Sequence, residues 1–428
     1  MTVATERFAG IATQRAAGGK GGIASICSAH PLVIEATLRH GAVHGADVLI
    51  EATCNQVNHE GGYTGMTPAA FRSFVETHAA GTGFLLDRLI LGGDHLGPNP
   101  WKHLPAAEAM RNAAAMIDAY AGAGFTKLHL DTSMACADDP AALADETIAA
   151  RTADLAAVAE AAVVRTGGQK PVYIIGTEVP VPGGALEALD HMHVTEPADA
   201  LRTVEVHRRA FSSLGLDAAF ARAIGVVVQP GVEFGNADII AYAPWKATKL
   251  VASLESMPQF VFEAHSTDYQ PAEALTALVR DGFAILKVGP WLTFALREAL
   301  YGLSRIADEL APDPSRENLP AAMERVMLAS PGNWQKYYPG TPDEQRLQRH
   351  FSFSDRIRYY WPSPDAQHAI EALLAALGDR EIPRPLISQY LAHLDAGVGA
   401  GRIKPTAHEL LIGSVMRVLD IYRDATNA

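Results

Sequence analysis

The segment LILGGDHLGPNPW at residues 89–101 places an acid and an imidazole side by side at the end of an apolar run. A carboxylate such as Asp94 can carry a proton, and a neutral imidazole such as His95 can do the same or bind a metal ion. Burying both groups is costly unless they are paired or bound to a cation. The segment therefore predicts a strand that delivers a proton carrier and a metal ligand to one site.

Polar side chains also stand at the ends of other apolar runs. Two histidines with a carboxylate or an amide can hold a zinc-like ion and leave one position open. We expect the metal ligands to be His95, His265, Glu178 and Gln229, and the groups that move protons to be Asp94, Asp131 and Glu178. Glu178 could equally be a hydrogen-bond partner of a ligand, and His129 is predicted to be structural.

The chemistry of such a site concerns oxygen atoms beside a carbonyl. A divalent metal, with zinc as the first expectation, polarises a carbonyl or hydroxyl oxygen while an adjacent carboxylate transfers a proton. This combination suits enolate chemistry next to a ketone, either aldol cleavage or epimerisation. Side chains near the same run ends are expected to contact the substrate, namely Asn55, Ser266, Asp268 and Lys287.

Short apolar runs alternate with longer helical patterns, which favours a parallel sheet covered on both faces. The runs occupy residues 22–29, 47–53, 89–95, 127–133, 172–178, 225–231, 260–266 and 284–289. Eight such units predict a closed (β/α)₈ TIM barrel, an α/β fold whose active residues lie at the C-terminal ends of the strands. An open doubly wound sheet is the alternative, but no Gly-x-Gly-x-x-Gly fingerprint follows the first run.

The strand signals stop near residue 300, so we divide the chain into a barrel at 1–300 and an α-helical C-terminal extension at 301–428. Two aromatic stretches punctuated by proline lie in the extension, at 333–340 and 353–364. They are expected to be covered within the chain, or else to contact a partner subunit.

Composition limits the classes of partner. The 428 residues carry a formal net charge of −13, and lysine and arginine form no stripe. Nucleic acid and anionic membranes are therefore not expected as partners, because binding to phosphates needs local positive charge. Neither a secretory signal nor an apolar run of membrane-spanning length is visible. We expect a cytoplasmic protein that forms an oligomer and acts on a small molecule.

Several motifs together resemble a known family, the non-catalytic subunit of tagatose-bisphosphate aldolase, which is related to the class II metal-dependent aldolase barrels. The motifs are IEATCNQVNHEGGYTGMTP, LGGDHLGPNPW, LHLDTSMACADD, GTEVPVPGG and FEAHSTDYQ. They cover roughly residues 20–300. Some members of this family bear the name tagatose-6-phosphate kinase.

The resemblance implies roles for individual residues. In catalytic class II aldolases the Asp-His pair after the third strand supplies an acid/base and a metal ligand, which here are Asp94 and His95. A second ligand follows the seventh strand, here His265, and the remaining histidine ligand is replaced by Gln229. The phosphate loop of the aldolases is replaced by STDY, which introduces Asp268. Ordinary binding of dihydroxyacetone phosphate is therefore not expected.

Two functions follow from the resemblance. The first is an accessory subunit that supports a separate catalytic tagatose-bisphosphate aldolase in ketohexose-phosphate catabolism. The second is an independent metal-dependent 4-epimerase of a ketohexose, its 6-phosphate or its uronate. The accessory function explains the altered ligand set, whereas the epimerase explains why Asp94, His95, Glu178 and His265 are all present. Sugar-kinase activity is not expected, because the chain has no Gly-x-x-x-x-Gly-Lys-[Ser/Thr] loop.

Overall fold

The computed structural model describes residues 2–177 and 193–428, and it shows a closed barrel of parallel strands. The barrel strands are β1 Ile23–Cys27, β2 Val48–Thr53, β3 Leu89–Leu96, β4 Lys127–Leu130, β5 Val172–Ile175, β6 Ala223–Val227, β9 Val261–Ala264 and β10 Ile285–Val288. Their order around the barrel is β1-β10-β9-β6-β5-β4-β3-β2. A short antiparallel hairpin, β7 Glu233–Phe234 and β8 Ile239–Ile240, follows β6. The predicted TIM barrel is confirmed.

Helices connect the strands and continue beyond the barrel. They are α1 Val3–Ala9, α2 Ile11–Ala16, α3 Pro31–His44, α4 Pro68–Thr82, α5 Ala106–Gly122, α6 Asp145–Thr166, α7 Pro197–Ser213, α8 Asp217–Phe220, α9 Pro244–Ala252, α10 Ala272–Arg280, α11 Pro290–Leu310, α12 Leu319–Ala329, α13 Pro342–Phe351, α14 Pro364–Leu377, α15 Arg384–Tyr390, α16 Ala392–Gly399 and α17 Ala407–Thr426. In the described part of the chain, no helix combines the length and the apolar character needed to cross a membrane.

Close packing around β3 explains why the segment LILGGDHLGPNPW contains glycines. A Cβ on Gly97 would lie 1.7 Å from the carbonyl oxygen of Asp131, so the end of β3 can approach β4 only without a side chain there. A Cβ on Gly92 would lie 2.6 Å from the Glu51 side chain, so this glycine makes room for a carboxylate inside the barrel. These two positions allow polar groups to be packed tightly between strands.

The N-terminal helices α1 and α2 close the bottom of the barrel. Phe8, Ile11 and Ala12 are buried against inward-facing aliphatic residues of the strands, including Leu49 and Ile224. This apolar layer fills the lower half of the barrel. The carboxylates and imidazoles of the barrel interior lie above this layer, toward the C-terminal end.

The C-terminal extension covers part of the barrel mouth. Tyr269 after β9 donates a hydrogen bond of 2.7 Å to the carbonyl of Phe353, and Thr293 on α11 donates one of 2.6 Å to Asp355. Most aromatic side chains of the two proline-punctuated stretches are buried, including Trp334 and Trp361, so these stretches are covered within the chain. The division at residue 300 stays a prediction, and α11 (290–310) runs continuously through it.

Candidate metal and catalytic site

Four buried side chains converge at the C-terminal end of the barrel. One ligand atom from each lies within 4.8 Å of the others, and the four residues are Asp94, His129, Glu263 and His265. Alternation along the strands explains the convergence, because residues two apart point to the same side of a strand. On β9 and its end, Glu263 and His265 both face the barrel interior, and Lys127 and His129 do the same on β4.

Each of three imidazoles at this site is paired with a different carboxylate. His95 Nδ1 lies 2.9 Å from Asp131 Oδ2, His129 Nδ1 lies 2.9 Å from Asp94 Oδ1, and His265 Nε2 lies 2.9 Å from Glu263 Oε1. Such a carboxylate fixes the tautomer and the orientation of an imidazole and leaves its other nitrogen for a metal. The three rings lie close together, with centroids 4.9, 5.1 and 5.2 Å apart.

Two buried lysines tie the carboxylates together. Lys127 Nζ lies 2.5 Å from Glu51 and 2.7 Å from Glu263, and Lys287 Nζ lies 2.8 Å from Glu51 and 2.9 Å from Asp94. Counting Asp131, the site contains more carboxylates than ammonium groups, and with neutral imidazoles its net charge is negative. A buried excess of negative charge is costly, and a bound cation compensates it.

The protonation states of Asp94 and His265 suit metal binding. At His95 the neighbouring carboxylates of Asp94 and Asp131 outweigh the effect of burial and raise the pKa of the imidazole. Burial opposes the charged form of Asp94, but Lys287 and the nearby imidazoles hold its pKa well below the usual value. Burial also lowers the pKa of the His265 imidazole to about 3. Burial opposes ionisation of Asp131, yet its hydrogen bond with His95 lowers its pKa to about 2. Asp94 is therefore a carboxylate, and His265 is in the neutral form that can bind a metal.

Backbone strain is concentrated at the same place. His95 has φ of 49°, Ser266 of 54° and Tyr269 of 61°, all in the left-handed region that non-glycine residues seldom occupy. His95 is the next-to-last residue of β3, and Ser266 and Tyr269 follow β9. Strain of this kind persists only where the surroundings enforce it, and it is common in active sites.

A cavity opens from the imidazoles toward solvent, and all four predicted substrate-contacting residues line it: Asn55, Ser266, Asp268 and Lys287. The carboxylate of Asp268 has a further role. Its Oδ1 accepts hydrogen bonds of 3.0 Å from the Gly289 amide and 2.8 Å from the Trp291 amide at the start of α11. The positive end of this helix is therefore already bound to a carboxylate.

The described residues fit a divalent metal ion. His129 Nε2 is buried and has no hydrogen-bond partner among them, which leaves a nitrogen lone pair or an N–H unsatisfied in the core. Three imidazoles, each oriented by a carboxylate, are a common protein ligand set for catalytic zinc. The excess of carboxylates over lysines favours a cation at the same place.

The structure brings some of the sequence-predicted site residues together and places others elsewhere. Asp94, His95, Asp131 and His265 lie together as expected. Gln229 uses its Oε1 to accept hydrogen bonds of 2.8 and 2.9 Å from the amides of Gly231 and Val232, in the turn after β6. Glu178 lies outside the described residues.

Sequence reasoning missed part of the site. His129, predicted to be structural, belongs to the histidine cluster, and Glu263 and Lys127 were not singled out. The available signal was the two-residue spacing from Asp131 to His129 and from His265 to Glu263, which places each pair on one face of a strand. Arg358, which lines the cavity from the C-terminal extension, had no signal in its local sequence.

The fold and the site define a (β/α)₈ barrel protein with a histidine and carboxylate centre at its C-terminal mouth. The chain belongs to the family described as D-tagatose-1,6-bisphosphate aldolase subunit GatZ/KbaZ-like, whose model matches residues 8–427. It is 53% identical over 416 residues to D-tagatose 6-phosphate 4-epimerase of Agrobacterium fabrum, covering 97% of each chain. A crystal structure from Sinorhizobium meliloti 1021, described as a probable tagatose 6 phosphate kinase, superposes with a TM-score of 0.88 at 57% identity, covering 94% of this chain and all of that one.

Proposed function

We propose that this protein is a divalent-metal-dependent 4-epimerase of a ketohexose 6-phosphate, which interconverts tagatose 6-phosphate and fructose 6-phosphate. The observation that carries the proposal is the set of three carboxylate-paired imidazoles beside the Asp94 carboxylate at the barrel mouth. The name of the relative from Agrobacterium fabrum, which is 53% identical over 97% of the chain, supports the same activity.

The proposed ligands are His95, His129 and His265, each through the ring nitrogen that is not paired with a carboxylate. The predicted ligands Gln229 and Glu178 are left out, since Gln229 bonds to its own turn and Glu178 is not described. A bound ion of the zinc type supplies Lewis acidity toward carbonyl and hydroxyl oxygens of a sugar. Zinc remains the expected ion.

Asp94 is the proposed proton carrier. Its Oδ1 is held by His129 at 2.9 Å and by Lys287 at 2.9 Å. Its Oδ2 accepts a weak thiol hydrogen bond from Cys27 Sγ at 3.8 Å and lies 3.9 Å from His95 Nε2. Asp94 lines the cavity, so Oδ2 is the oxygen that can reach a substrate hydroxyl. The lowered pKa keeps this carboxylate ionised, which is the form that can accept a proton.

The proposed reaction cleaves and re-forms one carbon–carbon bond. Asp94 accepts the proton of the C4 hydroxyl, the C4 oxygen becomes an aldehyde oxygen, and the electron pair of the C3–C4 bond moves to C3 as an enediolate conjugated with C2. The fragments are the enediolate of dihydroxyacetone and glyceraldehyde 3-phosphate. After the aldehyde turns its other face, C3 adds to it and Asp94 returns the proton. No atom or electron is gained or lost.

The test is metal analysis of the purified chain together with turnover of tagatose, its 6-phosphate, its 1,6-bisphosphate and tagaturonate. The proposal expects about one ion per chain and epimerisation of the 6-phosphate, with activity lost in His95→Ala and Asp94→Asn. Metal-loaded protein that leaves every one of these sugars unchanged would refute it.

A second candidate is the accessory subunit of a separate aldolase, which the description of the matching family favours. In that case the chain alone would be inactive and would raise the activity of a catalytic tagatose-bisphosphate aldolase on mixing. The intact buried network argues for the first candidate, because buried ion pairs rarely stabilise a fold better than apolar residues do. A kinase is not proposed, since the chain has no glycine-rich ATP phosphate loop with its lysine.

A further inference from the structure

We propose that Arg358, contributed by the C-terminal extension, binds the phosphate of the substrate and sets the preference for a phosphorylated ketohexose. This inference rests on the proposed function, because it assigns a role to one wall of the same cavity. It makes the extension part of the substrate site in addition to a cover for the barrel mouth.

Arg358 is a cation of the cavity wall that is still free to bind an anion. Among the described lining residues the cationic side chains are Lys287 and Arg358. Lys287 is already paired with Glu51 at 2.8 Å and with Asp94 at 2.9 Å. Arg358 forms no ion pair with a carboxylate in the described ranges, although its guanidinium is placed firmly by other bonds.

Those bonds leave two donors unused. Nη1 donates to the carbonyl oxygens of Ser354 and Asp355, and Nη2 donates to the Tyr359 hydroxyl at 2.9 Å. A guanidinium has five N–H groups, so Nε–H and the second Nη2–H remain without a partner among the described residues. Nε and Nη2 form one edge of the guanidinium, and that edge is the one that can match two oxygens of a phosphate.

In this chain a carboxylate occupies the position at which many (β/α)₈ barrels bind phosphate. In those barrels the loops after the last two strands and a helix N-terminus hold the phosphate. Here the amides of Gly289 and Trp291 at the start of α11 donate to Asp268. A phosphate at that position would meet a carboxylate in place of free amides, so Arg358, which has no ion-pair partner among the described residues, is the better partner.

The position of the phosphate in the substrate gives Arg358 a second use. The phosphate at C6 is on the glyceraldehyde 3-phosphate fragment, which must turn while it is not bonded to C3. A cation that holds this phosphate keeps the fragment in the cavity during the turn. Arg358 is thus a specificity-determining residue that also limits loss of the intermediate to solvent.

The test compares Arg358→Gln and Arg358→Lys with Arg346→Gln, an exposed arginine of α13 that serves as the matched control. Calorimetric titration of the metal-loaded proteins with tagatose 6-phosphate, tagatose and inorganic phosphate measures binding without turnover. Steady-state assays give KM and kcat for tagatose and its 6-phosphate. Inorganic phosphate separates binding of the phosphate group from binding of the sugar.

Loss of a charge-assisted pair predicts a rise of roughly 10- to 100-fold in the Kd and KM for tagatose 6-phosphate in Arg358→Gln. The same variant should lose inorganic phosphate binding and keep the KM for tagatose. Arg358→Lys should recover part of the affinity, and Arg346→Gln should match the wild type. Equal losses for tagatose and its 6-phosphate, or unchanged phosphate binding in Arg358→Gln, would overturn the inference.

The two proposals can fail separately. Phosphate binding that depends on Arg358 in a chain without epimerase activity would refute the proposed function and uphold this inference. Epimerisation with phosphate affinity unchanged in both Arg358 variants would do the reverse. If Arg358→Gln does not fold, Arg358→Lys decides, because wild-type phosphate affinity in that folded variant also overturns the assignment.

Discussion

Replacing His129 by asparagine should remove one of the proposed metal ligands and little else. His129 is fully buried, its Nδ1 lies 2.9 Å from Asp94 Oδ1, and its Nε2 has no hydrogen-bond partner in the described part of the chain. Asparagine can retain a polar atom near the position of Nδ1 but has none at that of Nε2. The variant therefore separates the proposed ligand nitrogen from the hydrogen bond to Asp94.

The size of the effect can be worked out. Loss of a group that only orients a ligand weakens metal binding by about 10- to 100-fold, so loss of the ligand itself should cost at least about 100-fold. An ion at 100 times the wild-type Kd stabilises the fold by about 2.7 kcal/mol, and by only about 0.4 kcal/mol at the Kd of the variant. For two-state unfolding of 428 residues, the entropy is about 0.9 kcal/mol per kelvin. The ion should thus raise the Tm of the wild type by about 3 °C and that of His129→Asn by less than about 1 °C.

The assay is calorimetry of chelator-stripped protein with and without zinc or manganese, with affinities from titration. His207→Asn is the matched control, because His207 on α7 is also buried, is bonded through Nδ1 to the Thr203 carbonyl at 2.8 Å and has an unpartnered Nε2. It does not line the cavity and should keep the full rise in Tm. A His129→Asn protein with wild-type metal affinity and the full rise would refute the ligand assignment.

Three further predictions follow. Epimerisation in D₂O should leave C4 free of deuterium, because no hydrogen is removed from that carbon, and deuterium at C4 in the NMR spectrum of the product would contradict bond cleavage. Gly97→Ala should lower the free energy of unfolding by several kcal/mol or prevent folding, since its Cβ would lie 1.7 Å from the Asp131 carbonyl. The control Gly81→Ala in α4, where the Cβ meets no described atom within 4 Å beyond its own helix backbone, should stabilise the fold by up to about 1 kcal/mol. Equal denaturation midpoints for both variants would be inconsistent with this account. Burial raises the pKa of Asp355 to about 6 although Arg297 opposes the rise. Between about pH 4 and pH 6 the native state therefore holds a proton that the unfolded state releases, and the contribution of this group to stability falls as pH rises through that range. As the pH is raised from 4 to 7, the free energy of unfolding of Asp355→Asn, measured with denaturant, should therefore increase by up to about 3 kcal/mol relative to that of the wild type. Asp379→Asn, at an exposed position, is the control and should show no such change. A difference between Asp355→Asn and the wild type that does not depend on pH would contradict the shift.

The strand pattern predicted most of the fold, because parallel strands buried on both faces are continuous apolar runs. LILGGDH became β3 (89–96), and FVFEAHS contains β9 (261–264). The hairpin β7–β8 was not predicted, since strands of two residues carry no periodic signal. The contribution of the C-terminal extension to the cavity was also missed, because it depends on a contact between Arg358 and a barrel more than 60 residues earlier in the chain.

The sequence by itself determined which side chains stand at the ends of the strands, and therefore that Asp94, His95, Asp131 and His265 would meet at one end of a barrel. Only the tertiary structure decided how they pair. It placed His129 beside Asp94, bound Gln229 to its own turn, put Asp268 on the amides of α11 and brought Arg358 to the cavity wall. The physical reason is that strand alternation is a local property read along the chain. Hydrogen-bond partners are instead selected by distances between strands and loops that are remote in sequence.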